Sequence, residues 1–374
     1  MGIYLNSGAS RFQSSLRSEI YVDKSSMLVY LNKVLDTEQR YVCVTRPRRF
    51  GKSMAANMIS AYYDRTTDAA KLFHGLAIAD DPHFEKYANH YDVIFLNMQK
   101  FLSRTRSIDE MISLLQQKVL RDLIREYPDC RYFDKTQLAR SMADIYQQTD
   151  RLFVIVIDEW DCIFREYPDR NADQKQYLDF LRNWLKDRAY VGLAYMTGIL
   201  PIKKFGTHSE LNMFDEFSMT NAGPMAPYTG FTEPEVRQLC ARYSMDFEEC
   251  TAWYGGYRLR SGAIYNPYSI VQSMMRRYFN TYWNQTETLD ALRLYLDMNY
   301  SGLHEAVRAL MAGSLQRINI GTFNNDMTTF SGYEDILTLL VHLGYLGYDT
   351  EKKSVFIPNQ ELQKEFASAT SISK

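Results

Sequence analysis

Residues 41–53 constrain this chain more tightly than any other stretch. Tyr41-Val42-Cys43-Val44-Thr45 is a short apolar run rich in β-branched residues, the texture of a buried strand. It runs directly into Arg46-Pro47-Arg48-Arg49-Phe50-Gly51-Lys52-Ser53, after which Met54 to Tyr63 reads as a helix rich in Ala and Met. A loop between a strand and a helix N-terminus aims backbone N–H groups, and the positive end of the helix dipole, at whatever the loop encloses. Gly51 lets the backbone turn tightly. Lys52 supplies a cation for outer phosphates, and Ser53 supplies a hydroxyl for a magnesium ion. The full pattern G-x-x-x-x-G-K-[ST] is incomplete, because Arg46 stands at the first glycine position. Taken alone, Gly-Lys-Ser is more often a chance turn with a solvated lysine.

A second element changes that weighing. Leu152 to Ile157 is continuously apolar, as in a parallel strand covered on both faces, and it ends in Asp158-Glu159. An acidic strand end is common by itself. Both patterns in this order, each on its own strand, are the Walker A and Walker B pair of an ATP-binding chain. Asp158 then joins the magnesium shell, and Glu159 orients and deprotonates the attacking water. The Asp-Glu pair favours the ATPase branch that carries a catalytic glutamate over P-loop kinases. Thr197 ends a further strand and either senses the γ-phosphate or caps the next turn. Lys203 and Lys204 are either a second cation source or a solvated helix face. Arg46, Arg48 and Arg49 can grip nucleotide, nucleic acid or an acidic subunit, or form a solvated basic turn. They are assigned to the nucleotide with Gly51, Lys52, Ser53 and Thr197. Asp23 and Lys24, upstream, are candidates to pair with the arginines.

The rest of the chain supplies the frame. Ser25 and Ser26 can cap a helix whose apolar face includes Met27, Leu31 and Val34. A strand is expected at Val93–Asn97, then a helix opened by the capping box Ser107-x-x-Glu110 and ended by Pro128. A helix at 174–187 and strands at 192–197 and 216–220 follow. Strands alternating with helices predict an α/β fold, a P-loop NTPase parallel sheet with flanking helices and right-handed crossovers. Near residue 228 the texture changes. Thr232-x-x-Glu235 opens a mostly helical C-terminal region, and Tyr254-Gly255-Gly256-Tyr257 and Tyr265-Asn266-Pro267-Tyr268 read as packed aromatic turns. Asp335–Leu343 is helical, Tyr345–Asp349 and Ser354–Pro358 are strands joined by a charged turn, and Asn359–Ala367 is a final helix. That end is winged-helix-like. The expected division is a P-loop ATPase-like domain at 1–228, a helical domain at 229–330 and the winged-helix-like segment at 331–374.

Composition excludes several classes. Formal net charge is −2, without the basic excess of a dedicated nucleic-acid binder. The five cysteines are widely spaced and form no Cys-x-x-Cys, so neither a disulfide framework nor a zinc site follows. Cys43 and Cys162 read as buried free thiols, and a reducing, cytoplasmic setting fits. The six histidines show no metal-ligand spacing. The first 20 residues hold no apolar signal core, and no window approaches a membrane span.

These motifs resemble the AAA-ATPase-like family, whose members often carry a C-terminal PD-(D/E)xK nuclease-like domain. The matching residues are Tyr21-Val22-Asp23-Lys24, Thr45 through Ser53, and Ile157-Asp158-Glu159-Trp160-Asp161. Further on come Thr197-Gly198-Ile199, Gly230-Phe231-Thr232-Glu233, Trp253 through Tyr257, Asn266-Pro267-Tyr268-Ser269, Gly344-Tyr345-Leu346 and Ile357-Pro358-Asn359. They run in family order over nearly the whole chain, and the arginine-rich loop is the most specific. The resemblance implies that Arg46 is a family feature rather than decay. Longer relatives continue into the nuclease-like domain. Its Asp/Glu pairs with a downstream Lys are not evident here, so the ATPase part alone is expected, through truncation or natural loss. The expected function is an ATP-hydrolysing regulatory module using ATP and Mg²⁺. The alternatives are a nucleotide-gated switch for a DNA or protein partner with little turnover, and a structural protein with an inactive loop. Candidate partners beyond ATP are nucleic acid or a nuclease-like protein, and no membrane; oligomeric state and process are not legible.

Overall fold

The fold is seen in a computed structural model that describes residues 2–202, 210–260, 262–283, 288–298 and 300–371. Lys203 and Lys204 lie outside the described residues.

Five strands make the main sheet: β1 Tyr41–Thr45, β2 Asp92–Asn97, β3 Phe153–Asp158, β4 Val191–Gly198 and β5 Asp215–Phe217. Their order is β2-β3-β4-β1-β5. β2, β3 and β4 run parallel, with Asn97 opposite Asp158 and Asp158 opposite Thr197. Three polar residues therefore stand abreast where three neighbouring strands end. Every residue of β1, β3 and β4 is buried, which is why these runs carry no polar alternation. The helix Lys52–Tyr63 packs against β2, β3 and β4, and its Ala55, Ala56 and Ile59 allow the close approach. The helix Ile108–Glu126 packs against Leu138–Thr149 and Asn171–Leu185.

The α/β sheet with flanking helices is as expected, with local corrections. The fifth strand stops at Phe217 rather than continuing to residue 220, because Ser218 N–H turns to the Asn221 carbonyl. The Ser107 hydroxyl accepts from Glu110 N–H, but the Glu110 carboxylate takes the N–H of Arg106, one residue before the cap. Thr232 and Glu235 form the complete reciprocal box.

Contacts divide the chain into two units. The first comprises Met1–Val44, Lys52–Gly198 and Lys204–Glu216; the second comprises Thr45–Gly51, Ile199–Lys203 and Phe217–Lys374. The expected segments 229–330 and 331–374 fall together in the second unit.

The second unit is less purely helical than its sequence suggested. It holds an antiparallel sheet of β6 Phe231–Thr232, β7 Tyr257–Leu259 and β8 Gly262–Tyr265, in the order β6-β8-β7. The Tyr254–Tyr257 turn is packed, with both tyrosines buried. Gly256 sits at φ +89°, and a Cβ there would lie 2.0 Å from the Pro358 carbonyl oxygen. A second sheet joins β9 Gln316–Arg317, β10 Gly347–Asp349 and β11 Ser354–Phe356 in the order β10-β11-β9. The turn between β10 and β11 is closed by Asp349, which accepts from the N–H groups of Glu351 and Lys352. The preceding helix, Tyr333–Leu343, is buried continuously from Asp335 to His342.

No helix among the described residues is long and apolar enough to cross a membrane. All five cysteines are free thiols, and Cys43 and Cys162 are buried as expected.

Candidate nucleotide site

The loop after β1 divides its side chains sharply. Arg46 is fully buried, with Nη1 donating to the carbonyls of Thr45 (2.8 Å) and Phe217 (3.0 Å). Arg48 is exposed. Arg49 adopts φ +67° and lays its guanidinium 3.7 Å from the centroid of Tyr268, a cation–π contact. The Phe50 carbonyl accepts from Gly230 N–H, and its ring meets Tyr257 edge-on. Asn266 caps the helix Pro267–Arg276 and so fixes Tyr268 beneath Arg49. Gly51 follows at φ +87°, with open space where a Cβ would stand.

Helical structure begins at Lys52, a residue only 5% exposed. Burial lowers the Lys52 pKa, while Glu159, Asp161 and Asp158 oppose the shift. Ser53, by contrast, is exposed, and its Oγ donates to Asp158 Oδ2 at 2.9 Å. Asn97 Nδ2 donates to the same oxygen at 3.1 Å, and Asp158 Oδ1 accepts from Glu159 N–H. Burial pushes the Asp158 carboxyl up, against the Ser53 hydrogen bond and the Lys52 charge.

Glu159 holds a left-handed backbone at φ +55°. Its Oε2 accepts from Arg165 Nη2 at 2.5 Å, and Arg165 Nε lies 3.3 Å from Asp161 Oδ2. Burial raises the Glu159 pKa, countered first by Arg165 and then by Lys52. Thr197 is buried, and its Oγ1 donates to the Val44 carbonyl at 2.8 Å, tying β4 to β1. Gly198 follows because Trp160 and Asp161 crowd it: a Cβ would lie 2.4 Å from Asp161 Oδ1. Asp23 is engaged elsewhere, accepting from the N–H groups of Ser25 and Ala77.

Lys52, Ser53, Asp158 and Glu159 are thus gathered at one place from two segments of the chain, Ser53 and Asp158 being 105 positions apart. Sequence reasoning missed Asn97, Asp161 and Arg165. Asn97 had a signal, since it ends an apolar strand as Asp158 does. Asp161 lay inside the matched Ile157–Asp161 motif without a role, and Arg165 had only an i,i+4 charge spacing to it, which resembles a surface pair.

The donor set suits a hard cation. Ser53 and Asp158 offer oxygen, and no group of three or more His, Cys, Asp or Glu among the described residues could hold a metal ion. Two protein oxygens completed by phosphate and water is how magnesium is held at phosphate sites. The residues present fit that ion.

A family model described as Predicted AAA-ATPase matches residues 7–207. An uncharacterised protein from the vnfD 5′ region of Azotobacter chroococcum mcd 1 is 25% identical over 279 residues, 72% of this chain and 51% of that protein. The chain therefore spans about half the length of that curated relative. Among solved structures it is similar to the Walker-type ATPase PABY2304 of Pyrococcus abyssi, at 12% identity and TM-score 0.45 over 92% of this chain and 94% of that one. It is also similar to the ORC2 protein of Aeropyrum pernix in its ADPNP–ADP complexes, at 12% identity and TM-score 0.37 over 95% and 97%. The family match spans more than half of the chain and takes in both Gly51-Lys52-Ser53 and Asp158-Glu159; the chain belongs to the AAA-ATPase-like family of predicted AAA-ATPases.

Proposed function

We propose that the chain binds Mg-ATP at Gly51-Lys52-Ser53 and hydrolyses it with Glu159 as the water-activating base, acting as a regulatory module. The observation that carries this reading is the Ser53–Asp158 hydrogen bond beside the buried Lys52. A lysine loses solvation on burial, and here three carboxylates compensate it. A polyphosphate supplies the same compensation from outside the fold.

In this reading Lys52 and the backbone N–H groups from Gly51 onward hold the phosphates, and Ser53 and Asp158 hold magnesium. A magnesium ion there would neutralise charge on the phosphate oxygens. Glu159 takes the proton of the attacking water. Support for the catalytic-glutamate branch comes from the strand order. β4 stands between β1 and β3, so Thr197 ends a strand flanked by the loop strand and the acidic strand. Its hydroxyl is occupied by Val44, and sensing the γ-phosphate would require it to leave that carbonyl. The arginines divide by role. Arg46 serves the loop's own structure and Arg49 is stacked on Tyr268, whereas Arg48 is exposed and is the one we assign to nucleotide or a partner.

The alternative, a nucleotide-gated switch for DNA or protein, has less support in its DNA form. The helix before the wing is buried from Asp335 to His342, so that stretch offers no face to a groove. The test is turnover. Phosphate release from Mg-ATP by the wild type, lost in Glu159→Gln, supports hydrolysis. Tight binding with no release by the wild type would replace it with the switch.

A further inference from the structure

We infer that Arg165 is a positioning residue for Glu159: it fixes one carboxylate oxygen and leaves the other for the water. The inference rests on the hydrolase reading above and adds to it a residue that neither Walker motif supplies.

Arg165 lies on the short helix Cys162–Glu166. Its side chain is 9% exposed, against 27% for Glu159 and 0% for Asp161. Nη2 reaches Glu159 Oε2 at 2.5 Å, while Nε faces Asp161 Oδ2 at 3.3 Å. Among the described residues, the Glu159 carboxylate receives a hydrogen bond from Arg165 alone, through Oε2. Its backbone is set separately, by the N–H bond to Asp158 Oδ1 and the left-handed φ. The strand end therefore aims the side chain, and Arg165 fixes its final torsions.

Charge balance points the same way. The groups that act on Glu159 are Arg165 from the short helix that follows it, Lys52 from the helix after the loop, Asp161 from the connecting turn and Asp158 from β3. Arg165 itself also faces Cys162 and Glu166. A bond made only for stability would be satisfied by the fully buried Asp161. Glu159 keeps 27% of its side chain exposed, so solvent meets part of its charge. That a nearly buried arginine extends a second arm to it is the signature of orientation. Guanidinium is suited to this, since its rigid fork serves two acids at once and an ammonium does not.

The test is a double-mutant cycle on kcat, with ATP affinity measured independently by titration calorimetry. Wild type, Arg165→Ala, Arg165→Lys, Glu159→Gln and the Arg165/Glu159 doubles are compared in steady-state phosphate-release assays at saturating Mg-ATP. Arg165→Ala is expected to lower kcat by up to about a hundredfold, the scale of a misplaced reacting group. Its Kd for Mg-ATP should move less than about threefold, a small change beside that loss of kcat. Arg165→Lys should fall between it and the wild type. In the Glu159→Gln background, removing Arg165 should cost less than about twofold, since residues that act as a unit are non-additive. An equal loss in both backgrounds, a loss confined to Kd, or wild-type kcat in Arg165→Ala overturns the inference. If the alanine chain does not fold, Arg165→Lys decides by the same cycle, and wild-type kcat or equal losses there overturn it. A wild type that releases no phosphate, or a fully active Glu159→Gln, instead defeats the underlying hydrolase reading.

Discussion

Ser53 Oγ donates to Asp158 Oδ2 across 2.9 Å, joining residues 105 positions apart. One lies in the first turn of the helix after the loop and the other ends β3, so a single bond links the two motifs. Both oxygens are hard donors, and Ser53 is open to solvent. The pair should matter to magnesium more than to folding. Ser53→Ala is expected to weaken the magnesium dependence of ATP binding by about tenfold or more, the scale at which metal sites respond to lost support. Titrating nucleotide at several magnesium concentrations checks this, and an unchanged dependence would remove Ser53 from the metal.

Glu159→Gln keeps the size of the side chain and removes its basicity. Hydrolysis should fall by about 10²–10⁴-fold, the usual contribution of a general base, with ATP affinity retained. Multiple-turnover phosphate release beside a binding titration separates these outcomes.

Two glycines with positive φ should respond differently to alanine. At Gly51 only the left-handed backbone is at issue, because nothing lies within 4 Å of the place a methyl group would take. Gly51→Ala should cost about 1–2 kcal/mol of fold stability. At Gly256 the methyl group would also meet the Pro358 carbonyl, which adds about 1–3 kcal/mol of overpacking. Denaturant midpoints of the two variants give the comparison, with Gly256→Ala the less stable.

Glu361 should make stability depend on pH. It is 1% exposed and accepts from Ser269 Oγ, Tyr282 N–H and Trp283 N–H. Burial pushes its carboxyl up to about 7, partly offset by those hydrogen bonds. A folded pKa above the unfolded value means that the native state holds a proton the unfolded chain has released. Its contribution is full below about pH 4.3, the unfolded glutamate value, and is lost as pH rises through about 7. Glu361→Gln should flatten that fall, by up to about 1.4 kcal/mol per pH unit. Urea melts of both chains from about pH 4.3 to 7, the window between those two values, would show it; parallel curves would rule it out.

The sheet was legible because its strands are continuously apolar. β1, β2, β3 and β4 were each placed to within a residue or two, since burial on both faces leaves no polar residue to confuse the boundary. The site was legible where chemistry and strand ends coincide, at Lys52, Ser53 and Asp158-Glu159. Arg46 was not legible. The sequence assigned it to the nucleotide, whereas its buried guanidinium bonds the Thr45 and Phe217 carbonyls. The sheet β6-β8-β7 was hidden by its strands of two to four residues, too short for alternation to register. Arg165 was hidden because a tertiary ion pair and a helix-surface pair have the same spacing.

The most direct test of nucleotide binding at this loop is a titration of Mg-ATP into the wild type and Lys52→Ala, followed by thermal unfolding at saturation. Saturable binding is predicted for the wild type. At about 100 times Kd it should add about 2.7 kcal/mol of stability, a rise in Tm of roughly 3–4 °C for a chain of this length. Lys52→Ala should lose both the binding and the rise. A wild type that neither binds nor shifts, or a Lys52→Ala chain that binds as tightly, would contradict a nucleotide site at Gly51-Lys52-Ser53.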